Sequence, residues 1–357
     1  MIYHEIDFIP VGTGDKGGDA AAMRVWDDNG NQLVFVVDGG TKEAGEAIVS
    51  QIQTQYGTSV VDAVICTHPD GDHASGLAEV LENLEVRTLF MHQPWDRAED
   101  IKHLFENSAL TPLGLQRTIK RGLKFAHEIK KIADRKNIPI IEPFADGTYF
   151  DGILRFLGPS LEHYQDMLPH FRKTPAPAQP LIGSGLLGRA LAQVGNATES
   201  AIEWAAERMD LETLTDGSDH FSAENSTSTI ALFTFGTHKV LFTGDADIEA
   251  LTQAAAYAAS LGISLADLHL LDVPHHGSKQ NVGPTILNTI RAKTAHISAP
   301  PTSPKHPAKK VVNALLRRGS YVGTTQGKII YYRSDNLTLR AGWSSVAGLT
   351  FSNFVEV

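Results

Sequence analysis

Apolar positions dominate residues 3–12, which read as a strand running into the Gly-rich turn VGTGDKGGD. Ala20–Trp26 and Gln32–Val37 read as paired strands around Asp27-Asp28-Asn29-Gly30, since Asn-Gly between such runs favours a tight hairpin. Lys42–Tyr56 has a helical pattern. The β-branched run VVDAVIC, residues 60–66, is followed by a polar loop and then a helix from about Gly76 to Asn83. Arg87–Met91 predicts a short strand, and 98–136 is mostly helical. Strand patterns return at Ile138–Ile141 and Ile153–Leu157. Further on, Thr229–Phe235 and Lys239–Phe242 form a hairpin around Gly236-Thr237, and Asp247–Leu261 is a helix. Leu268–Val273, Ala295–Ser298 and Tyr321–Thr324 are strands, with a helix from about Pro307 to Arg318 between the last two. Lys328–Tyr332 and Leu337–Arg340 predict closing strands.

The texture changes between about 160 and 223. The stretch holds TPAPAQP, IGSGLLG and an Ala/Glu-rich segment near Thr198–Met209 that predicts a helix. It reads as an insertion that caps the site or forms a dimer interface. The two halves of the chain resemble each other: strands, then a His/Asp-rich loop, then helices. That pattern predicts one α/β (α+β) domain over 1–357, an αββα sandwich of two mixed sheets with outer helices.

Composition narrows the chemistry. Cys66 is the one cysteine, so no internal disulfide forms and any metal must be held by His and carboxylates. It reads as a small buried residue rather than a nucleophile. No apolar run reaches the ~18–20 residues of a membrane helix. The first residues lack the pattern of a secretory signal, so a cytoplasmic protein with no membrane partner is expected. Net charge is −10, which speaks against nonspecific nucleic-acid coating. Two stretches run the other way: Arg117–Lys136, and Lys305–Arg318, which has no acid. Each is either a solvated helix face or a cradle for an anionic substrate.

The strongest signal is THPDGDHASG, residues 67–76. His68, Asp70, Asp72 and His73 lie within six positions, delivered by a buried-type strand. Loops leaving the carboxyl ends of strands are where α/β sheets place ligands. Carboxylates this close repel one another unless a cation compensates them. LFTGDAD, residues 241–247, puts Asp245 at a strand end, where it could bridge two cations. LDVPHHGS, residues 271–278, follows another apolar strand; His276 is the first candidate ligand, and His275 either points elsewhere or is an alternative ligand. In VVDGG, residues 36–40, Asp38 ends a strand before a tight turn and would orient the ligands by accepting hydrogen bonds. His4, His92, His103, His127, His163, His170, His238, His269 and His296 read as surface or packed residues.

Taken together, the order and content of these segments resemble the metallo-β-lactamase superfamily. His-x-Asp-x-Asp-His with Pro-His-His-Gly-Ser is similar to the hydrolase domain of ComEC-type competence proteins. So are VGTGD (residues 11–15), Asn225 with Ser228, and His306-Pro307. The resemblance covers most of 5–333 apart from the insertion. The chain departs from those proteins in having no membrane channel. The likeness implies a phosphodiesterase or nuclease with two divalent ions, Zn2+ or Mn2+. A water acidified between them would attack phosphorus, with Asp72 holding a metal and orienting that water. His306 and Lys305 would contact the phosphoryl oxygens. The substrate would be anionic: nucleic acid, a cyclic nucleotide or a small phosphodiester. His220 or Asn225 would complete the first metal site. The same fold also hosts di-iron redox enzymes and hydrolases of non-phosphate esters or lactones, and both stay open.

Overall fold

The computed structural model describes residues 2–14, 16–107, 109–178, 203–217, 222–335, 337–343, 345 and 347–356. Two seven-stranded mixed sheets dominate it. In the first, the strands lie in the order Ile330–Arg333, Ile2–Phe8, Ala20–Asp27, Gln32–Gly39, Ala63–Ile65, Leu89–Phe90, Ile140–Ile141. In the second they run Tyr321–Thr324, Ala292–Ile297, Leu268–Asp272, His238–Phe242, Ile230–Phe235, Leu154–Gly158, Thr148–Tyr149. Each sheet is antiparallel on one side and parallel on the other. Parallel strands need a crossover, and helices such as Lys42–Gln51 and Ile248–Ser260 supply it.

Three buried apolar clusters mark the contacts between four layers. Ile6, Phe8, Met23, Phe35, Phe156, Phe233 and Phe242 fill the space between the sheets. Ile48, Leu77, Leu81, Ile119 and Ile129 seat helices on the first sheet. Ala254, Leu251, Val311 and Leu315 do so on the second. Burying each large side chain of this kind stabilises the fold by about 1.5–3 kcal/mol. The architecture is the αββα sandwich expected from the pattern of strands and helices.

Where local pattern sets an element, the element is present. The hairpin at 27–30 forms with Asp27 Oδ1 accepting from the backbone N–H of Asn29 and of Asn31, both at 2.9 Å. The second hairpin turns at Gly236, whose φ is 63°. Two expectations fail for reasons of distance along the chain. Trp204–Ala206, within the expected helix, is a strand paired to Phe354–Glu356. The rest of that insertion holds the helix Leu161–Met167, and 179–202, on which its role as cap or dimer interface rests, lies outside the described residues. Leu337–Arg340 forms no strand. Arg340 instead turns inward to the buried Asp7 (2.8 Å) and Glu5 (2.7 Å). Unpaired, those two acids would be costly to bury.

The basic stretch 305–318 is largely structural. Arg317 donates to the carbonyls of Met209 (3.1 Å) and Leu211 (2.8 Å) and pairs with Glu207. Arg318 pairs with Glu212 at 2.8 Å. These arginines pin 207–212 to the helix Lys309–Arg317. No described helix is long and apolar enough to cross a membrane.

His4 links the core to pH. It is fully buried, its ring stacks on Phe235 at 4.6 Å, and neither ring nitrogen has a hydrogen-bond partner among the described residues. Burial first, then His238 and His269, lowers its pKa to about 3. Above pH ~6.5 both folded and unfolded chains are neutral there. Below it the unfolded chain takes the proton and the folded chain does not, so stability falls as pH drops toward 3 by up to about 1.4 kcal/mol per unit. His4→Phe should remove about one proton from the pH slope of urea-unfolding free energy between pH 6 and 4. An unchanged slope would show that His4 is not held neutral.

Candidate metal centre

The site forms where strand ends from both sheets meet. Gln32–Gly39 and Ala63–Ile65 are parallel neighbours, so Asp38 and Thr67 leave the first sheet side by side. Asp38 sits at φ 54°, a left-handed conformation uncommon outside glycine. Its carboxylate accepts from Thr67 N at 2.8 Å and Thr67 Oγ1 at 2.5 Å, and it pairs with His73 Nδ1 at 2.8 Å. Thr67 Oγ1 also lies 3.1 Å from His68 Nδ1. Its own proton goes to Asp38, so it accepts from His68. Both imidazoles are therefore assigned the Nδ1–H tautomer, with a lone pair on Nε2. The carboxylate–histidine arrangement orients a ligand nitrogen and raises its basicity.

From the second sheet come Asp245, after His238–Phe242, and His276, after Leu268–Asp272. Asp245 Oδ1 lies 3.3 Å from His73 Nε2 and 3.9 Å from His276 Nε2. Its Oδ2 lies 3.6 Å from His68 Nε2 and 3.7 Å from His275 Nε2. Asn225 Nδ2 donates to that oxygen at 3.2 Å, and Ser228 Oγ accepts from Asp245 N at 3.2 Å. Gly244, at φ 50°, lets the chain pass Thr67: a Cβ there would lie 2.8 Å from Thr67 Oγ1. His275, His276 and Gly277 form a left-handed run at φ 50°, 56° and 75°. For the two histidines this costs roughly 1–2 kcal/mol each, the kind of strain that gathers at functional sites.

The sequence reading missed Asp19. Its Oδ1 lies 3.4 Å from His276 Nδ1 and its Oδ2 lies 3.9 Å from His73 Nδ1. The double glycine before it was the available signal. A Cβ on Gly18 would lie 2.2 Å from the Asp72 carbonyl oxygen, and one on Gly17 would lie 3.3 Å from the His276 ring. Only glycine lets this loop press so closely on the others.

Donor atoms of Asp19, His73, Asp245 and His276 all lie within 4.8 Å of one another, as do those of Asp38, His68 and His73. All of these residues are buried. His68 Nε2, His73 Nε2, Asp245 Oδ1 and both nitrogens of His276 have no hydrogen-bond partner among the described residues. Buried polar atoms are normally satisfied, so this set of orphans in one place fits a cation. Nitrogen and carboxylate donors suit borderline to hard divalent ions. The charges are strongly interdependent. Burial alone would raise the Asp245 carboxyl, but four histidines, His275 first, hold it well below the usual range. Burial would lower His73, but Asp245 and Asp38 raise it well above its ordinary value. His276 is raised against burial by Asp19 and then Asp245.

The other expected site residues are spread around this centre. Asp70 does not enter the cluster; it pairs with the exposed Arg172. Asp72 lies half-buried in the short helix Gly71–Ala74 and is in neither convergent group. His275 contacts Asp245 and also pairs through Nδ1 with Asn281 Oδ1 at 2.9 Å. His306 borders the centre, with ring centroids 5.9 Å from His275 and 6.1 Å from His276. Burial, then those two histidines, lowers its pKa to about 3, so it faces the site as a neutral ring. Lys305 is exposed beside it. His220 lies outside the described residues, as does Asp15 of VGTGD.

Residues 17–154 match the family model described as the metallo-beta-lactamase superfamily. That segment is similar to the metallo-beta-lactamase superfamily. That match contains Asp19, Asp38, His68 and His73, whereas Asp245 and His276 lie outside it. A comparison with curated proteins finds no match. Among solved structures, the diiron β-hydroxylase CmlA from Streptomyces venezuelae is 10% identical, covering 93% of this chain and 54% of that one, with a TM-score of 0.41. A diphosphatase of the PhnP family is 11% identical over 93% and 99%, with a TM-score of 0.39. A long-form RNase Z from yeast is 14% identical over 83% and 37%, with a TM-score of 0.35.

Loss of an orienting carboxylate typically costs 10–100-fold in metal affinity. Asp38→Asn should weaken Zn2+ and Mn2+ binding by about that factor in a chelator-competition titration. Asp19→Ala should lower the bound metal per chain by mass spectrometry or calorimetry. Wild-type affinity and stoichiometry in both variants would remove these residues from the centre.

Proposed function

We propose that this chain is a metal-dependent phosphodiester hydrolase holding two divalent ions. The observation that carries this reading is the convergence of buried donors of Asp19, His73, Asp245 and His276, with His68 Nε2 3.6 Å from Asp245 Oδ2, several of them orphaned. Divalent ions held there would supply a water with a pKa lowered toward ~7 and positive charge for the phosphoryl oxygens. The chain's own residues do the rest. Asp38 fixes the ring orientation of His73 directly and of His68 through Thr67. Asn225 and Asn281 hold Asp245, the latter by donating to its carbonyl at 3.0 Å. Neutral His306 offers a hydrogen bond at the edge of the site, and Lys305 beside it a charge.

The choice of phosphodiesters is supported by His-x-Asp-x-Asp-His at 68–73 with Pro-His-His-Gly-Ser at 274–278. Both resemble the ComEC-type hydrolase domain. Asp70 and Asp72 remain candidate ligands through the same likeness, with Asp72 orienting the attacking water. A second reading, a di-iron redox centre, is favoured by Asp19. It adds a carboxylate to the set, and oxygen donors suit harder ions such as iron and manganese.

Bis-nitrophenyl phosphate, cyclic dinucleotides and DNA or RNA oligonucleotides should be tested under Zn2+ and Mn2+. Turnover of at least one phosphodiester is expected, and Asp245→Ala should lower it by at least about 100-fold. No turnover by metal-loaded protein, or equal rates in the variant, would end this reading. A coloured iron protein with a visible absorption band and no hydrolysis would establish the second.

A further inference from the structure

The basic stretch Arg117–Lys136 divides in two. In its second half the cations are already matched. Lys130 pairs with Asp134 at 2.7 Å, Lys131 with Glu128 at 3.3 Å, and Arg135 with Glu82. Lys136 donates to the carbonyls of Glu82 and Leu84, each at 3.1 Å. In the first half, Arg117, Lys120, Arg121 and Lys124 form no ion pair among the described residues, and Arg117, Arg121 and Lys124 are exposed. Arg117, Lys120 and Arg121 share one side of the helix Pro112–Gly122, opposite the buried Leu115 and Ile119. Lys124 opens the next helix, Lys124–Lys136, where a cation in the first turn opposes the helix dipole. Exposed Lys173 also lacks an ion pair among the described residues.

This row abuts the metal centre at two points. Phe125, with Lys124 Nζ 4.5 Å over its ring, packs so tightly on the metal loop that a Cβ on Gly71 would lie 2.4 Å from it. A Cβ on Gly122 would lie 3.2 Å from the Arg172 carbonyl oxygen and 3.6 Å from Lys173 Cβ. Arg172 in turn is fixed to Asp70 of the metal loop and, at 3.1 Å, to buried Glu224. The row therefore lies against the metal loop, and its part within one helix, Arg117 to Arg121, spans about 6 Å at 1.5 Å per residue.

Unmatched cations gathered on one side of a chain with net charge −10 mark a landing place for an anion. A ligand that uses the whole row must carry repeated negative charge along its length. We infer that Arg117, Lys120, Arg121, Lys124 and Lys173 form a track that binds the phosphate backbone of a nucleic-acid strand and leads it to the metal loop. The inference rests on the phosphodiesterase reading and makes its substrate a polymer.

The test is fluorescence anisotropy of the full, Mn2+-loaded chain with labelled phosphorothioate oligonucleotides, single-stranded and duplex, across a salt series. The combined variant Arg117→Gln, Lys120→Gln, Arg121→Gln, Lys124→Gln should bind the preferred form at least tenfold more weakly. For a single strand its log–log salt slope should be shallower by about 3, at ~0.7 for each phosphate no longer neutralised. The ratio of oligonucleotide to bis-nitrophenyl phosphate hydrolysis should fall at least tenfold. The pair Lys130→Gln, Lys131→Gln, with charges already matched, should keep wild-type affinity. Equal affinity and slope in the fourfold variant, or an equal loss in the control pair, would overturn the track. Cleavage of bis-nitrophenyl phosphate without oligonucleotide binding would overturn the track and leave the hydrolase reading standing. Track-dependent binding without any phosphodiester cleavage would support the track and remove the hydrolase reading.

Discussion

The three contacts of the Asp38 carboxylate hold the metal loop in place. It takes the N–H and hydroxyl of Thr67 and the Nδ1–H of His73, all within 2.8 Å. One buried acid thus sets the direction of two imidazoles from a backbone that is itself held in an unfavourable conformation. Held through Nδ1, both rings aim Nε2 at Asp245, at 3.6 and 3.3 Å. Binding energy for a cation is not spent on ordering these side chains, because folding has already ordered them.

The same arrangement crowds negative charge. Asp19, Asp38 and Asp245 are buried together, and Asp272 is near enough to feel them. Burial first, then Asp19 and Asp38, pushes the Asp272 carboxyl well above its ordinary range. It lies 2.8 Å from His296 Nδ1, whose own pKa burial lowers to about 3. Both shifts favour the uncharged forms of this hydrogen-bonded pair beside the centre. Asp19, Asp38 and Asp245 still gather carboxylates in one buried place, which is the electrostatic reason a cation fits there.

Much of this was legible along the chain. Asp38, His68, His73, Asp245 and His276 each follow an apolar strand, so the hydrophobic run announces the donor. Asp19 precedes its strand, and the Gly17-Gly18 pair that admits it looks like an ordinary turn until Asp72 and His276 are packed against it. Asp70 stands in the strongest motif, yet its partner Arg172 lies about a hundred residues later, and no local pattern connects them. The Trp204–Ala206 strand fails the same way, since its partner Phe354–Glu356 lies near the other end of the chain. Helix and strand periodicity reports which face is apolar. It does not report which distant segment will cover that face.

The donors are divided between the two sheets, and that division sets an order of assembly. Asp19, His68 and His73 belong to the N-terminal sheet, whereas Asp245 and His276 arrive only with the second. The first strand, Ile2–Phe8, also waits for Ile330–Arg333 to flank it. A chain emerging from the ribosome would therefore expose a half-built, anionic cavity through most of its synthesis. Metal capture is tied to completion of the whole sandwich, so a truncated product would be unable to acquire the chemistry of the finished molecule.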